Sequence, residues 1–261
     1  MHIEKKYLKF IQSLVQKKQR QQNKQFVLEG AKLIQEALDN NVSFDYVVYN
    51  KDLVKKRGYE SLIVALRDAG IKIMWGHESE IQKISNFTTS DGLLAVAHMA
   101  EYKKSINSSL VLVFEGINDP GNLGTIIRTA DWFGISDIVL GEGSVDMYNP
   151  KVVRATMGSL FRVRIHPHVN IEEFLSQQQN SYTIWGTSLQ GDDFTDDVIN
   201  KFQDTSPKVI VFGNESHGLS ENVEKMCEHL IKIIGVGQAE SLNLALSAGI
   251  LMYEGTKNLS K

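Results

Sequence analysis

Apolar residues change rhythm along the chain, and each change marks an element. Over residues 7–15 they fall at helical spacing with lysines between them, which predicts a helix. Residues 19–25 are polar and read as a loop. Phe26, Val27 and Leu28 form a short apolar run, a strand, and residues 30–40 return to helical spacing with Leu33, Ile34, Ala37 and Leu38 inward. The pattern then predicts strands over 45–49, 71–75 and 93–98 and helices over 61–69 and 79–84. Residues 101–109, EYKKSINSS, are polar and break the alternation, so a domain boundary is expected there.

The second half alternates again. Strands are predicted over 110–114, 137–140, 161–165, 182–187, 208–212 and 231–236. Helices are predicted over 122–133, 149–158, 171–178, 220–229 and 242–254, with 191–206 acidic and irregular. The helix over 242–254 is so rich in Leu, Ala and Ile that packing on both sides is expected. Strand–helix alternation of this kind implies a parallel sheet covered by helices on both faces. Its ligand site is then expected in the loops at the strands' carboxyl ends.

Composition narrows the class. The chain has 261 residues, 42% of them apolar, and no apolar run of membrane-spanning length. Its start, MHIEKKYLKF, is too polar for a signal peptide, which predicts a cytoplasmic protein. Cys227 is the only cysteine, so neither an intrachain disulfide nor a cysteine-rich zinc site can form. The seven histidines show no HExxH-type grouping, and no metal is expected. The net charge of −3 hides an asymmetry: residues 1–109 carry a balance of +5 and residues 110–261 one of −8. Lys17, Lys18, Arg20 and Lys24 belong to the most basic stretch, where a polyanion would be gripped.

Three loops could carry chemistry. In the first, Asn122 reads as the cap of a helix and Arg128 lies six residues further on, where an apolar pattern calls for no cation. A guanidinium there can fork onto a phosphate. In the second, Gly213 and Gly218 bracket Glu215, and Ser220 reads as the next cap. His217 lacks an evident carboxylate orienter and reads as a loop residue. In the third, Gly235 and Gly237 precede Ser241, the expected cap, and Asn243, expected in the first turn near free N–H groups. There is no Walker loop. Gly141-Glu142-Gly143 is only a fragment of a dinucleotide fingerprint, which leaves a nicotinamide oxidoreductase without its motif. No GxSxG surrounds Thr187 and Ser188.

In this order, the loops resemble those of the SpoU (TrmH-like) branch of the SPOUT RNA methyltransferases. The carrying residues are the NxGxxxR pattern at Asn122, Gly124 and Arg128, the GxExxGLS pattern at 213–220, and the ESLN pattern at 240–243. Residues 19–38 also resemble the start of the small substrate-binding domain that precedes the catalytic domain in ribosomal RNA members. The resemblance implies an α/β protein with a ribosomal-protein-L30e-like RNA-binding domain over 1–100, a linker over 101–109, and a SPOUT domain over 110–261 with a deep trefoil knot. It implies a homodimer that moves a methyl group from S-adenosylmethionine to a ribose 2′-oxygen of structured RNA, 23S ribosomal RNA above all. The site would comprise Asn122, Arg128, Glu215, Ser241 and Asn243, with backbone near Thr187, Gly213, Ile233 and Leu242 around the cofactor. Arginine stays protonated, so Arg128 is expected to fix phosphate and stabilise an alkoxide rather than act as base. Many relatives carry Pro-Met where this chain has Ile234-Gly235. A transfer RNA 2′-O-methyltransferase, or a non-catalytic RNA-binding or ribosome-assembly factor on the same fold, is the alternative. Cys227 lies outside all three loops, which disfavours cysteine-dependent base methylation.

Overall fold

The computed structural model describes residues 1–88, 90–101 and 105–258, so residues 102–104 of the polar boundary stretch lie outside the described residues. The chain divides into two compact units. One is Met1–Glu101 with Tyr148–Phe161, the other Tyr102–Met147 with Arg162–Lys261. No helix of the described residues is long and apolar enough to cross a membrane.

The first unit opens with α1 (Lys5–Ser13) and α2 (Lys17–Asn23), followed by β1 (Gln25–Glu29), α3 (Ala31–Asp39), β2 (Phe44–Tyr49) and α4 (Lys51–Arg57). Next come α5 (Glu60–Asp68), β3 (Lys72–Trp75), α6 (Glu78–Ile84) and β4 (Leu93–His98). Among the described residues its sheet has the order β1-β4-β2-β3, antiparallel except for the β2–β3 pair. The central strand β4 is buried from Leu93 to Ala97 and packs with Ile11, Leu14, Val48 and Met74. Two helices depart from the sequence expectation. Most of the supposed loop at 19–25 belongs to α2, and α4 escapes the apolar pattern because Val54 is its one buried residue. Asn50 starts α4 by accepting the N–H groups of Asp52 and Leu53, and Gly58 ends it with φ 73°.

The second unit begins with β5 (Leu110–Phe114), α7 (Pro120–Trp132) and β6 (Asp137–Gly141). After Met147 the chain supplies α8 (Pro150–Thr156) and a 3₁₀ turn, Ser159–Phe161, to the first unit. The second unit then resumes with β7 (Arg164–Val169), α9 (Ile171–Gln178), β8 (Thr183–Asp193), α10 (Asp196–Phe202) and β9 (Lys208–Phe212). It closes with α11 (Glu221–Met226), β10 (His229–Lys232) and α12 (Leu244–Thr256). The strands form one parallel sheet in the order β10-β8-β9-β5-β6-β7 among the described residues. Burial of all five residues in each of β5 and β9 explains their continuous apolar runs.

Four expectations are corrected here. The strand expected at 161–165 starts only at Arg164, because Phe161 ends the 3₁₀ turn. The stretch 191–206 is not irregular: β8 runs to Asp193, and α10 follows with Phe202 buried. The last strand is His229–Lys232, and Ile234 and Val236 are exposed. Finally, within one chain α12 is packed on one side only, with Leu246, Ile250 and Tyr253 exposed along it.

At the amino ends of its strands the second unit is pinned by a buried carboxylate. Asp137, fully buried at the start of β6, accepts Arg164 Nε (2.8 Å) and Nη2 (2.6 Å), pairs with His166 Nε2 (2.9 Å), and accepts the Ser108 hydroxyl. Burial alone would raise the Asp137 carboxyl, but the hydrogen bonds from His166, Arg164 and Ser108 outweigh it and hold it well below the usual range. We therefore expect Asp137→Ala to cost about 3 kcal/mol in urea unfolding, because buried His166 and half-exposed Arg164 both lose the fully buried carboxylate they are bonded to. The carboxylate's contribution is complete above about pH 4 and is lost as the pH falls below that. A loss under about 1 kcal/mol, as at an ordinary surface position, would contradict this account.

Candidate active site

The loops that leave β5 and β9 and the one that enters α12 carry the candidate chemistry. The first begins at Glu115. Asp119, not Asn122, caps α7: its Oδ1 accepts Asn122 N–H at 2.8 Å, and Pro120 takes the first helical position. The Asp-Pro pair is the signal for that cap. Asn122 thus sits in the first turn with its side chain released. Likewise Asn243, not Ser241, caps α12, its Oδ1 accepting Ala245 N–H at 2.9 Å and Leu246 N–H at 3.4 Å.

These corrections place three motif side chains in one hydrogen-bonded line. Asn122 Nδ2 donates to Glu215 Oε1 at 3.0 Å, and Asn243 Nδ2 donates to Asn122 Oδ1 at 2.9 Å. Glu215 Oε2 also accepts Asn118 N–H at 3.2 Å. The pairing fixes which end of each amide is oxygen, since Glu215 can only accept when ionised and the Asn243 oxygen already faces N–H groups.

A second set of bonds, centred on Glu115 and Asn214, joins the first two loops. Glu115 Oε2 accepts Ser220 N–H at 2.9 Å, and Asn214 Nδ2 donates to Gly116 O at 3.1 Å. Asn214 also closes the Glu215 turn by exchanging backbone hydrogen bonds with Gly218. Gly213 is required at the strand end, because a Cβ there would stand 2.1 Å from the Gly218 carbonyl carbon.

The other expected site residues are placed differently. Arg128 is exposed on α7 and, among the described residues, makes no hydrogen bond or ion pair. Ser241 and His217 are exposed and likewise outside the line. Thr187 lies on β8, Gly213 directly follows β9 and Ile233 directly follows β10, so these three positions belong to neighbouring strands. Thr187 Oγ1 donates to Val211 O at 3.3 Å, and Leu242 is 46% exposed just before α12. Cys227 is half-buried against Gly186, and burial pushes its thiol up to about 12, which suits packing rather than nucleophilic attack.

In the first unit, Lys17, Lys18 and Lys24 are exposed. Arg20 is not available to RNA, contrary to expectation. It is 2% exposed, and its Nη1 donates to Leu14 O at 2.9 Å and Val15 O at 2.7 Å, satisfying carbonyls at the end of α1. His2, His77 and Glu80 bring possible ligand atoms within 4.8 Å of one another. His2 and the N–H of His77 already share Glu80 Oε2, at 3.0 Å and 2.8 Å.

The model of the SpoU rRNA Methylase family matches residues 109–253, and that of the MRM3-like substrate binding domain matches residues 5–95. The chain is 30% identical over 238 residues to the Bacillus subtilis 23S rRNA (guanosine(2553)-2′-O)-methyltransferase RlmP, covering 91% of this chain and 90% of that protein. Among solved structures it resembles a putative RNA methyltransferase of the TrmH family from Porphyromonas gingivalis, with TM-score 0.83, 30% identity, and 98% and 99% of the two chains covered. It also resembles an AdoMet-bound rRNA methyltransferase from Sinorhizobium meliloti, with TM-score 0.83, 28% identity, and 98% and 96% covered.

The geometry predicts that Glu215→Gln breaks the line although it is nearly isosteric, because its NH₂ group must face one of two donors. Hydrogen exchange at the Asn118 amide should quicken roughly fivefold, equivalent to about 1 kcal/mol. Unchanged exchange would show that the Asn118–Glu215 bond carries no weight in solution.

Proposed function

The chain belongs to the SpoU rRNA methylase family, and we propose that it methylates a ribose 2′-oxygen of 23S ribosomal RNA with S-adenosylmethionine as donor. One observation carries the proposal. The Glu215–Asn122–Asn243 line ties the three motif loops together, and Arg128, further along α7 from Asn122, makes no hydrogen bond or ion pair among the described residues. The RlmP and Sinorhizobium meliloti relatives support the acceptor and the donor respectively.

The residues present fit the cofactor. Thr187, Gly213 and Ile233 sit on or directly after three neighbouring parallel strands, and none carries a charge. With Leu242 they offer backbone N–H and C=O groups of the kind that hold an adenine edge. Bound there, the cofactor would supply an electrophilic methyl group for in-line displacement, a reaction limited by alignment. Asn122 has its oxygen and one amide hydrogen already engaged, so its task is to hold the acceptor side of the site in place. Arg128 has the unspent donors: it grips the phosphate beside the acceptor ribose and stabilises charge developing on the 2′-oxygen. Ser241 completes the acceptor side on the same proposal. Lys17, Lys18 and Lys24 extend the grip to RNA phosphates and make affinity salt-dependent.

The same proposal includes the 1–100 substrate domain, the 101–109 linker and the 110–261 knotted methyltransferase domain, working in the cytoplasm. Pairing of β10 with β8, and the Gly191 backbone lying against Leu230 and Ile231, is compatible with the knot. A homodimer is supported by the uncovered face of α12. Leu246 (61% exposed), Ile250 (39%) and Tyr253 (51%) lie on it, with the Tyr253 ring 6.1 Å from that of Phe133, which directly follows α7.

Two measurements test this reading. Incubation with labelled S-adenosylmethionine and protein-free ribosomal RNA from an unmodified strain should yield a 2′-O-methylnucleoside by mass spectrometry. Arg128→Ala should lower turnover about 100-fold, and Arg128→Lys should restore only part of it. A base-methylated product, or near-normal turnover in Arg128→Lys, would refute the assignment. Separately, Leu246→Lys should turn a dimer into a monomer by light scattering. A wild-type monomer would remove the dimer from the proposal.

A further inference from the structure

The first unit contains a cleft of about 160 Å³ between β1, α3, α8 and the chain around Phe87. Its volume is of the order of an engineered cavity, about 150 Å³, known to accept a benzene-sized ring. The guanidinium carbon of Arg154 lies 3.8 Å from the centre of the Phe87 ring, so a planar cation is stacked on an aromatic face at the cleft wall. Arg154 is exposed and, among the described residues, makes no hydrogen bond or salt bridge, and neither does Lys32 on the same cleft.

The acids of the cleft are committed. Glu29 accepts the Ser85 hydroxyl at 2.5 Å and Asn86 N–H at 3.0 Å, and Asp91 accepts Arg57 Nη1 at 2.6 Å. The cleft therefore keeps cationic donors on Arg154 and Lys32 beside carboxylates that already hold donors of their own. An acceptor-rich, planar, anionic ligand suits that inventory, and a nucleotide is such a ligand. A bare phosphate would use the charges but leave the stacked plane idle.

We propose that this cleft binds one unstacked nucleotide of the substrate RNA, its base laid on the Arg154–Phe87 stack and its phosphate beside Lys32. Single-stranded RNA is commonly held in this way, with splayed bases on aromatic rings or guanidinium planes. The proposal rests on the RNA-substrate reading above and adds a base contact remote in sequence from the three motif loops. It also gives a use to Tyr148–Phe161, the segment that carries Arg154 into the first unit.

The test titrates the full chain with AMP, GMP, CMP and UMP, each alone, by saturation-transfer NMR, with S-adenosylmethionine binding measured in parallel. At least one nucleotide should bind. Arg154→Lys, which keeps the charge but loses the plane, and Phe87→Leu should each weaken it at least tenfold, with cofactor affinity unchanged. Absence of binding for all four nucleotides would overturn the proposal, as would binding that either variant leaves intact or that inorganic phosphate displaces at equal concentration. Loss of cofactor binding in the wild-type chain would instead count against the methyltransferase reading, and the nucleotide result would still decide the cleft.

Discussion

The side-chain amide of Asn122 is bonded at both ends to residues far away in sequence, Glu215 at a separation of 93 and Asn243 at 121. No local preference can assemble such a line, so it exists only when β5, β9 and α12 are already in register. Each bond is individually modest, because folding exchanges it for bonds to water. What the line secures is relative position: three loops that would otherwise wander are held by amides and a carboxylate with fixed donor and acceptor ends. The bonds from Glu115 to Ser220 and from Asn214 to Gly116 reinforce two of those loops from behind.

The two ends of the parallel sheet divide the work. At the amino ends, Asp137 gathers Arg164, His166 and Ser108 around a fully buried carboxylate, and every partner there is spent on holding the fold. At the carboxyl ends, charged groups are exposed and one, Arg128, has no partner among the described residues. Between them, β5 and, after Lys208, β9 are apolar and buried on both faces, with Phe114 and Phe212 stacked 4.8 Å apart across the pair. That dry centre keeps the strand ends in register, and so lets the loops above carry polar residues at fixed separations.

Legibility in the sequence followed the range of the forces involved. Strands buried on both faces, such as 110–114 and 208–212, announced themselves as apolar runs and were placed residue for residue. Helices held by few buried contacts did not: α2 and α4 carry one buried residue each, and α2's is an arginine that periodicity reads as polar. Caps were half legible. Ser220 caps its helix as its sequence position suggests, whereas at α7 Pro120 in the first helical position makes Asp119, not Asn122, the cap. The family resemblance implies that Glu215 holds the region of Asn122, but spacing alone does not show that Asn122, Glu215 and Asn243 form one line, since contact at such separation is a property of topology. The opposite error fell on Arg20, where a basic run suggested a surface and the chain instead turned the guanidinium onto its own carbonyls.

A distinction between spent and unspent donors separates the residues that build this protein from those left to act. Arg20 and Arg164 are chemically the same as Arg128 and Arg154, and each could fork onto a phosphate. Arg20 is committed to the carbonyls of Leu14 and Val15, and Arg164 to Asp137. Arg128 and Arg154 make no such bonds among the described residues, although both stand on helices whose other contacts are well satisfied. Arg128 has no bonded partner among the described residues and Arg154 has the Phe87 ring rather than a carboxylate, so ion pairing within the fold does not account for an arginine at either position. A ligand that is anionic and planar, or anionic and about to gain charge, supplies a reason.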